Sequence, residues 1–473
     1  MNGPIRRVAV VSMVLFTALM LNLTYAYVAR QESLNNHQQN RRVTDARFAQ
    51  DRGPIMVGNT PIAETEPVKD RFKFQRSYPN GVLYAPITGY YSYLFKASAL
   101  EAAYSSELAG TDDSQFLERI INAAVGATPR GATLETTVNA KAQKAAWDAL
   151  AGRKGAVVAL NSKTGAILAL VTSPSYDPND LATHDIDASR KAWDQLTKDT
   201  DKPMANRASK EIYPPGSTFK LVTATTALEN GMTADTVIDA PTSYKLPQST
   251  VTIDGNCGGT KITLTQALRV SCNPAFAKLG VELGDDAIRT QAEKFGFGTK
   301  YLTDVGAAVS RFPSDPDAAQ TAMSAIGEFE VAASPLQMAM VAAAANNDGV
   351  VMEPYIVKRI LNADLQVISQ TRPQQLSVAM SPSSAAELRT MMQAVVTGGT
   401  GWRAQVPGLD IGGKTGTAHS DNVRRPYAWF VAYARELDVA VGVFIEDAEM
   451  PATDIAGGIV AAPVAKAVIE ALQ

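Results

Sequence analysis

Pro214-Pro215-Gly216-Ser217-Thr218-Phe219-Lys220 opens an apolar, small-residue stretch that runs on to Leu228. Two prolines and a glycine break whatever precedes them, and the residues that follow predict a buried helix over 217–229. Serine and lysine three positions apart on such a helix project from one face and can meet. A serine nucleophile with a lysine base needs that proximity. By chance alone Ser-x-x-Lys arises about once or twice in a chain of this length at average composition. The rest of the sequence has to decide what the tetrad means.

Outward from the tetrad, Leu134 to Val138 is β-branched and alternating, hence a strand, and Asn139 caps a helix to about Leu150. Two apolar runs, 157–160 and 167–171, flank Ser162-Lys163-Thr164-Gly165 and predict a hairpin with both strands buried. Helices are expected near 188–198, 264–269, 274–283, 286–295, 335–346 and 385–396. Strands are expected at 411–418, 428–434 and 439–446, with a closing helix over 459–472. Strands at both ends with helices between imply one sheet, assembled from distant segments and covered by helices. Thr397-Gly398-Gly399-Thr400-Gly401 is either a cleft loop or a plain helix terminator.

The chain has 473 residues, which predicts two or three domains. Its 44 Lys and Arg against 47 Asp and Glu give a net charge of −3, with no basic block that would favour nucleic acid. Arg6 and Arg7 precede an uncharged apolar run from Val8 to Val28, about the length that one helix needs to cross a bilayer. The basic flank predicts a cytoplasmic N-terminus and an extracytoplasmic remainder. A cleaved signal peptide would have a shorter core and an Ala-x-Ala site, so an uncleaved anchor is expected. A polar spacer over 31–45 follows. The expected division is a tail over 1–7, an anchor over 8–28, a small non-catalytic domain over 29–132 and a catalytic domain over 133–473. Cys257 and Cys272 make no Cys-x-x-Cys pair and the three histidines are scattered, so no metal site and no cofactor is expected. Outside the membrane the two cysteines either pair or remain reduced core thiols.

A Ser-His-Asp triad would have to use His37 in the spacer, His184 in a polar loop, or His419. No Gly-x-Ser-x-Gly elbow is present. Lysine is the better base, provided burial and a neighbouring positive charge lower its pKa. Ser-x-x-Lys, Ser-x-Asn and Lys-Thr-Gly occur together in penicillin-binding proteins and serine β-lactamases. Here Ser271-Cys272-Asn273 and Lys414-Thr415-Gly416 supply the second and third motifs, in order, with the third on a strand of the terminal sheet. Lys163-Thr164-Gly165 precedes the serine, Ser420-Asp421-Asn422 follows the third motif, and Ser33-Leu34-Asn35 lies in the spacer, so each is out of order.

With these motifs the chain resembles the class B (monofunctional) penicillin-binding proteins, most of all the PbpA type of actinobacteria. The likeness extends over 50–55, 155–179, 206–220, 324–349, 414–418 and 428–430. It implies an α/β (α+β) fold of the penicillin-binding and serine β-lactamase kind, with an antiparallel sheet covered by helices. It also implies roles. Ser217 attacks the penultimate D-Ala carbonyl of a peptidoglycan stem peptide, and Lys220 takes its proton. Ser271 relays a proton to the departing D-Ala. Asn273 holds Lys220 and the substrate amide. Lys414, Thr415 and Gly416 line the cleft. The N–H groups of Ser217 and Thr417 form the oxyanion hole, and Thr417 touches the carboxylate. An amine on a neighbouring stem then resolves the acyl-enzyme, and β-lactams acylate the same serine. A D,D-carboxypeptidase would use the same residues with water. A β-lactamase lacks its deacylating Glu-x-x-Leu-Asn pattern here, and a β-lactam sensor would need more on the cytoplasmic side. The segment before the catalytic domain is too short for a glycosyltransferase, so the resemblance implies a SEDS-family (RodA/FtsW-like) glycan polymerase as partner.

Overall fold

The computed structural model describes residues 2–35, 45–46, 48–112, 130–418, 426–451 and 454–473. A first helix, Asn2–Ala29, carries its apolar side chains exposed along its length. Among the described residues it is the one helix long and apolar enough to cross a membrane. At 1.5 Å per residue it spans about 42 Å, enough for the hydrocarbon core and both interfaces.

The largest unit is a five-stranded antiparallel sheet in the order Ile411–Ala418, Tyr427–Ala434, Val439–Asp447, Lys154–Asn161, Ile167–Ser173. Sequence ends and middle thus meet in one sheet, as the strand pattern predicts. Both faces are covered, which is why its strands read as nearly continuous apolar runs. The helices Ala140–Leu150 and Ala462–Glu470 pack on one face. The helix Pro335–Asn346 covers the other and is buried on every side. Such a helix needs small apolar residues all round, and its Ala-rich sequence supplies them. The hairpin turn after Asn161 is held by that side chain, whose oxygen accepts from Lys163 N, Thr164 N and Thr164 Oγ1 at 3.0, 2.9 and 3.0 Å. Lys163-Thr164-Gly165 therefore belongs to a turn, with Lys163 paired to Asp348.

A second, six-stranded sheet runs Val367–Gln370, Val357–Leu361, Thr133–Thr136, Ile55–Val57, Thr60–Pro67, Phe74–Ser77. The strand Thr133–Thr136 pairs in parallel with Ile55–Val57 and antiparallel with Val357–Leu361. The 132/133 division drawn from sequence therefore runs beside a strand shared by both parts.

Three local expectations need correction. The stretch over 217–229 is a 3₁₀ turn, Gly216–Phe219, that leads into an α-helix, Lys220–Glu229. Gly216 sits at φ +51°, in the left-handed region, so a regular helix does not run through it. The closing helix breaks into Gly457–Val460 and Ala462–Glu470, with Pro463 at the start of the second piece. The helix Ala318–Ala325, closed by an Asp317–Gln320 capping box, has no counterpart in the sequence reading.

Candidate active site

Three hydrogen bonds hold the turn that presents Ser217. Trp429 Nε1 donates to Pro214 O at 3.0 Å, Gly216 N donates to Gly327 O at 2.9 Å, and Thr218 Oγ1 donates to Pro215 O at 2.7 Å. A Cβ on Gly216 would lie 2.7 Å from Thr417 O, and one on Gly327 would lie 2.0 Å from Gly216 O. Those two glycines therefore let the serine turn lie directly against the edge strand Ile411–Ala418. Ser217 is half-buried, and among the described residues its hydroxyl makes no hydrogen bond.

Lys220 begins the α-helix and is fully buried. Its Nζ donates to Asn273 Oδ1 at 2.5 Å and to Ser271 O at 2.9 Å, and lies 3.3 Å from Ser271 Oγ. The Phe276 ring, centred 5.5 Å away, forms an apolar wall. Burial, with the nearby Lys414 charge, drives the Lys220 pKa well below the ordinary lysine value, against a smaller opposing pull from Glu328. A neutral amine has two N–H groups, and Asn273 and Ser271 O take both. Its lone pair remains available to a hydroxyl, which is the arrangement a general base requires.

Ser271 links the helices Leu264–Arg269 and Asn273–Leu283 and adopts φ +59°. A non-glycine residue rarely sits there, so the surroundings must hold it. They do so through Ser271 N to Leu268 O, Cys272 N to Ala267 O, and a disulfide from Cys272 to Cys257. Asn273 is the first residue of its helix, and its side chain goes to Lys220. Lys414 is fully buried as well. Its Nζ donates to Ser271 Oγ at 2.8 Å and to Thr415 O at 3.0 Å, and burial lowers its pKa to about 7. The Ser271 hydroxyl thus lies between the two amines.

Lys414, Thr415, Gly416 and Thr417 lie on an edge strand of the five-stranded sheet. Gly416 packs against the serine turn, where a Cβ would come 2.9 Å from Pro215 O. Thr415 Oγ1 meets Thr400 Oγ1 at 2.7 Å. Thr400 and Glu328 are the neighbours that sequence reasoning missed. The Thr-Gly-Gly-Thr-Gly run flagged the loop but not its contact, and Glu328 stands out only as a member of the 324–349 likeness. His184 pairs with Asp70, and among the described residues it makes no hydrogen bond to the serine site. His37, His419 and Ser420-Asp421-Asn422 lie outside the described residues.

The family described as "Penicillin binding protein transpeptidase domain" matches residues 155–470, and "Penicillin binding protein A dimerisation domain" matches residues 52–134. The chain is 40% identical to a protein of Mycolicibacterium smegmatis named peptidoglycan D,D-transpeptidase PbpA, over 100% of this chain and 99% of that one. It is 39% identical, with the same coverage, to the PbpA of Mycobacterium tuberculosis. Its structure is similar to that of penicillin-binding protein A from M. tuberculosis in its penicillin G acyl-enzyme complex. The TM-score is 0.85 at 40% identity, covering 90% of this chain and 100% of that one. For the ceftriaxone acyl-enzyme complex of the same protein the TM-score is 0.88 at 38% identity, covering 90% and 99%.

Proposed function

The chain belongs to the penicillin-binding proteins with a transpeptidase domain, and from that premise we propose how its own residues make it a serine-type peptidoglycan D,D-transpeptidase. The carrying observation is the buried, charge-depleted amine of Lys220, which follows Ser217 by nearly one turn and is bonded to Ser271 and Asn273. Ser217 attacks the carbonyl of the penultimate D-Ala, and Lys220 accepts the serine proton. The N–H groups of Ser217 and Thr417 hold the oxyanion. Ser271, polarised by Lys414, relays that proton from Lys220 to the leaving D-Ala nitrogen and is itself left protonated. Asn273 fixes Lys220, and Thr415 and Gly416 form the wall along which the substrate adds as a strand. An amine of a second stem peptide takes the acyl group, and a β-lactam leaves its acyl group on Ser217.

The Asn2–Ala29 helix anchors the chain in the membrane. We assign its Arg6–Arg7 flank to the cytoplasm and the rest to the extracytoplasmic side. Residues 29–132 serve as a non-catalytic domain, 133–473 as the transpeptidase, and a SEDS-family glycan polymerase supplies the glycan strands. The test is labelling of the whole chain with a fluorescent penicillin, followed by peptide mapping. An adduct on Ser217, abolished in Ser217→Ala, is expected; an adduct elsewhere would overturn the assignment. Offering a D-amino acid to the acyl-enzyme of a stem-peptide thioester separates transfer from hydrolysis. Exchange product is expected, and free acid alone would mean a carboxypeptidase.

A further inference from the structure

The Lys414 ammonium has three N–H groups, and Ser271 Oγ and Thr415 O occupy two of them deep in the cleft. Thr415 follows Lys414 on the edge strand, and its hydroxyl is a second donor that an anion lying along that strand can meet. Thr415 Oγ1 is not alone there, because Thr400 Oγ1 stands 2.7 Å away. One of the two hydroxyls must donate to the other. If Thr415 donates, it shows the cleft only lone pairs; if Thr400 donates, the Thr415 proton is left to point at a ligand.

Thr400 is built to stay where it is. It follows the helix Pro382–Gly398, and its N–H donates to Arg269 O at 3.4 Å, at the end of the helix that leads to Ser271. Gly399 permits that approach, since a Cβ there would come 2.5 Å from Arg269 O. On the other side, a Cβ on Gly458 would lie 2.0 Å from Thr400 O. One residue thus ties the backbone before Ser271-Cys272-Asn273 to the side chain inside Lys414-Thr415-Gly416.

We propose that Thr400 is a positioning residue for carboxylate selection: its hydroxyl donates to Thr415 Oγ1 and leaves the Thr415 O–H directed at the terminal carboxylate of the substrate. An anion selects this arrangement because a carboxylate only accepts. The inference rests on the reading of Thr415 as part of the substrate wall.

The experiment compares acylation rate constants for benzylpenicillin and its methyl ester on the full-length protein and its variants. Melting temperature is recorded for each. Thr400→Val keeps the shape and removes the hydroxyl; it should lower the acid-to-ester ratio about tenfold, the loss of one oriented bond to a charged group. Thr400→Ser should restore the ratio. Thr400→Ala carries the same comparison should the valine variant not fold. Acid and ester falling in parallel, or an unchanged ratio, would overturn the role of Thr400. Thr415→Val separates the two layers. If it lowers the ratio and Thr400→Val does not, only the Thr400 inference fails. If Thr415→Val leaves the ratio intact, the reading of Thr415 beneath it fails.

Discussion

Two buried lysines share one half-buried serine hydroxyl, and at most one of them can be charged at low cost. Burial takes the Lys414 pKa to about 7, and burial together with the Lys414 charge drives the Lys220 pKa well below the ordinary lysine value, so Lys220 is the base and Lys414 its partly charged neighbour. The acid limb of the acylation rate against pH then reports protonation of Lys220 in the free enzyme. Lys414→Met removes a positive charge that holds Lys220 down, so the limb should move to higher pH. Glu328→Gln removes a negative charge that holds it up, so the limb should move to lower pH. Stopped-flow acylation across pH 4–9 checks both, and shifts in the same direction would sink the assignment. Stability gives a second test. The Lys414 pKa is lowered on folding, so the unfolded chain binds the extra proton between about 7 and the ordinary lysine value. Wild type carries the full cost of a buried ammonium below about pH 7 and sheds it as pH rises. The melting temperature of Lys414→Met minus that of wild type should therefore be most positive below pH 7 and decline toward pH 10.

At the scale of elements the vulnerable point is the joint between Leu264–Arg269 and Asn273–Leu283, where the left-handed Ser271 must be held. The Cys257–Cys272 bridge closes a loop with a sequence separation of 15 residues. Replacing both cysteines with alanine should cost about 3 kcal/mol in the chain-entropy view. It should also slow acylation, because Ser271 and Asn273 lose the brace that aims them at Lys220. Urea unfolding and acylation rates measure the two effects, and lost stability with an unchanged acylation rate would mean the bridge is only a staple. This joint also shows what sequence can and cannot disclose. Strand Ile411–Ala418 and helix Pro335–Asn346 were legible because local pattern and a proline at the helix start mark their bounds. The order of the three motifs singles out Ser217, Lys220, Ser271, Asn273 and Lys414, and hydrogen bonds join the last four of them. The positive φ of Ser271 and the Thr400–Thr415 contact leave no periodic trace, since both arise from packing between segments far apart in the chain. The 3₁₀ entry at Gly216 was missed for a related reason: it is imposed by Gly327 and the edge strand, not by the helix that follows.

At the scale of the molecule, the six-stranded sheet joins the N-terminal segment to the transpeptidase part through Thr133–Thr136 and Val357–Leu361. Parallel pairing of Ile55–Val57 with Thr133–Thr136 is non-local, so no local pattern in the sequence announces it beside the 132/133 division. Beside this sheet the buried Glu101 carboxylate accepts from Arg52 Nε and Arg76 Nε, each at 2.6 Å, and from Tyr78 Oη at 3.2 Å. Burial alone would raise the Glu101 pKa, but Arg76 and Arg52 outweigh it and hold the carboxyl below its usual value. Its contribution is therefore present above the ordinary carboxylate range and is lost as pH falls through that lowered pKa. Glu101→Gln leaves two buried guanidiniums without their counter-charge, which should cost about 3–5 kcal/mol. Because the shared strands couple both parts, calorimetry should show one transition at lower temperature. The cluster makes no contact with Ser217 or Lys220 among the described residues, so penicillin acylation of the folded variant should keep its wild-type rate. Two resolved transitions would mean that the shared sheet does not couple the halves. A slowed acylation in the folded variant would mean that the N-terminal segment sets the geometry of the serine site from a distance.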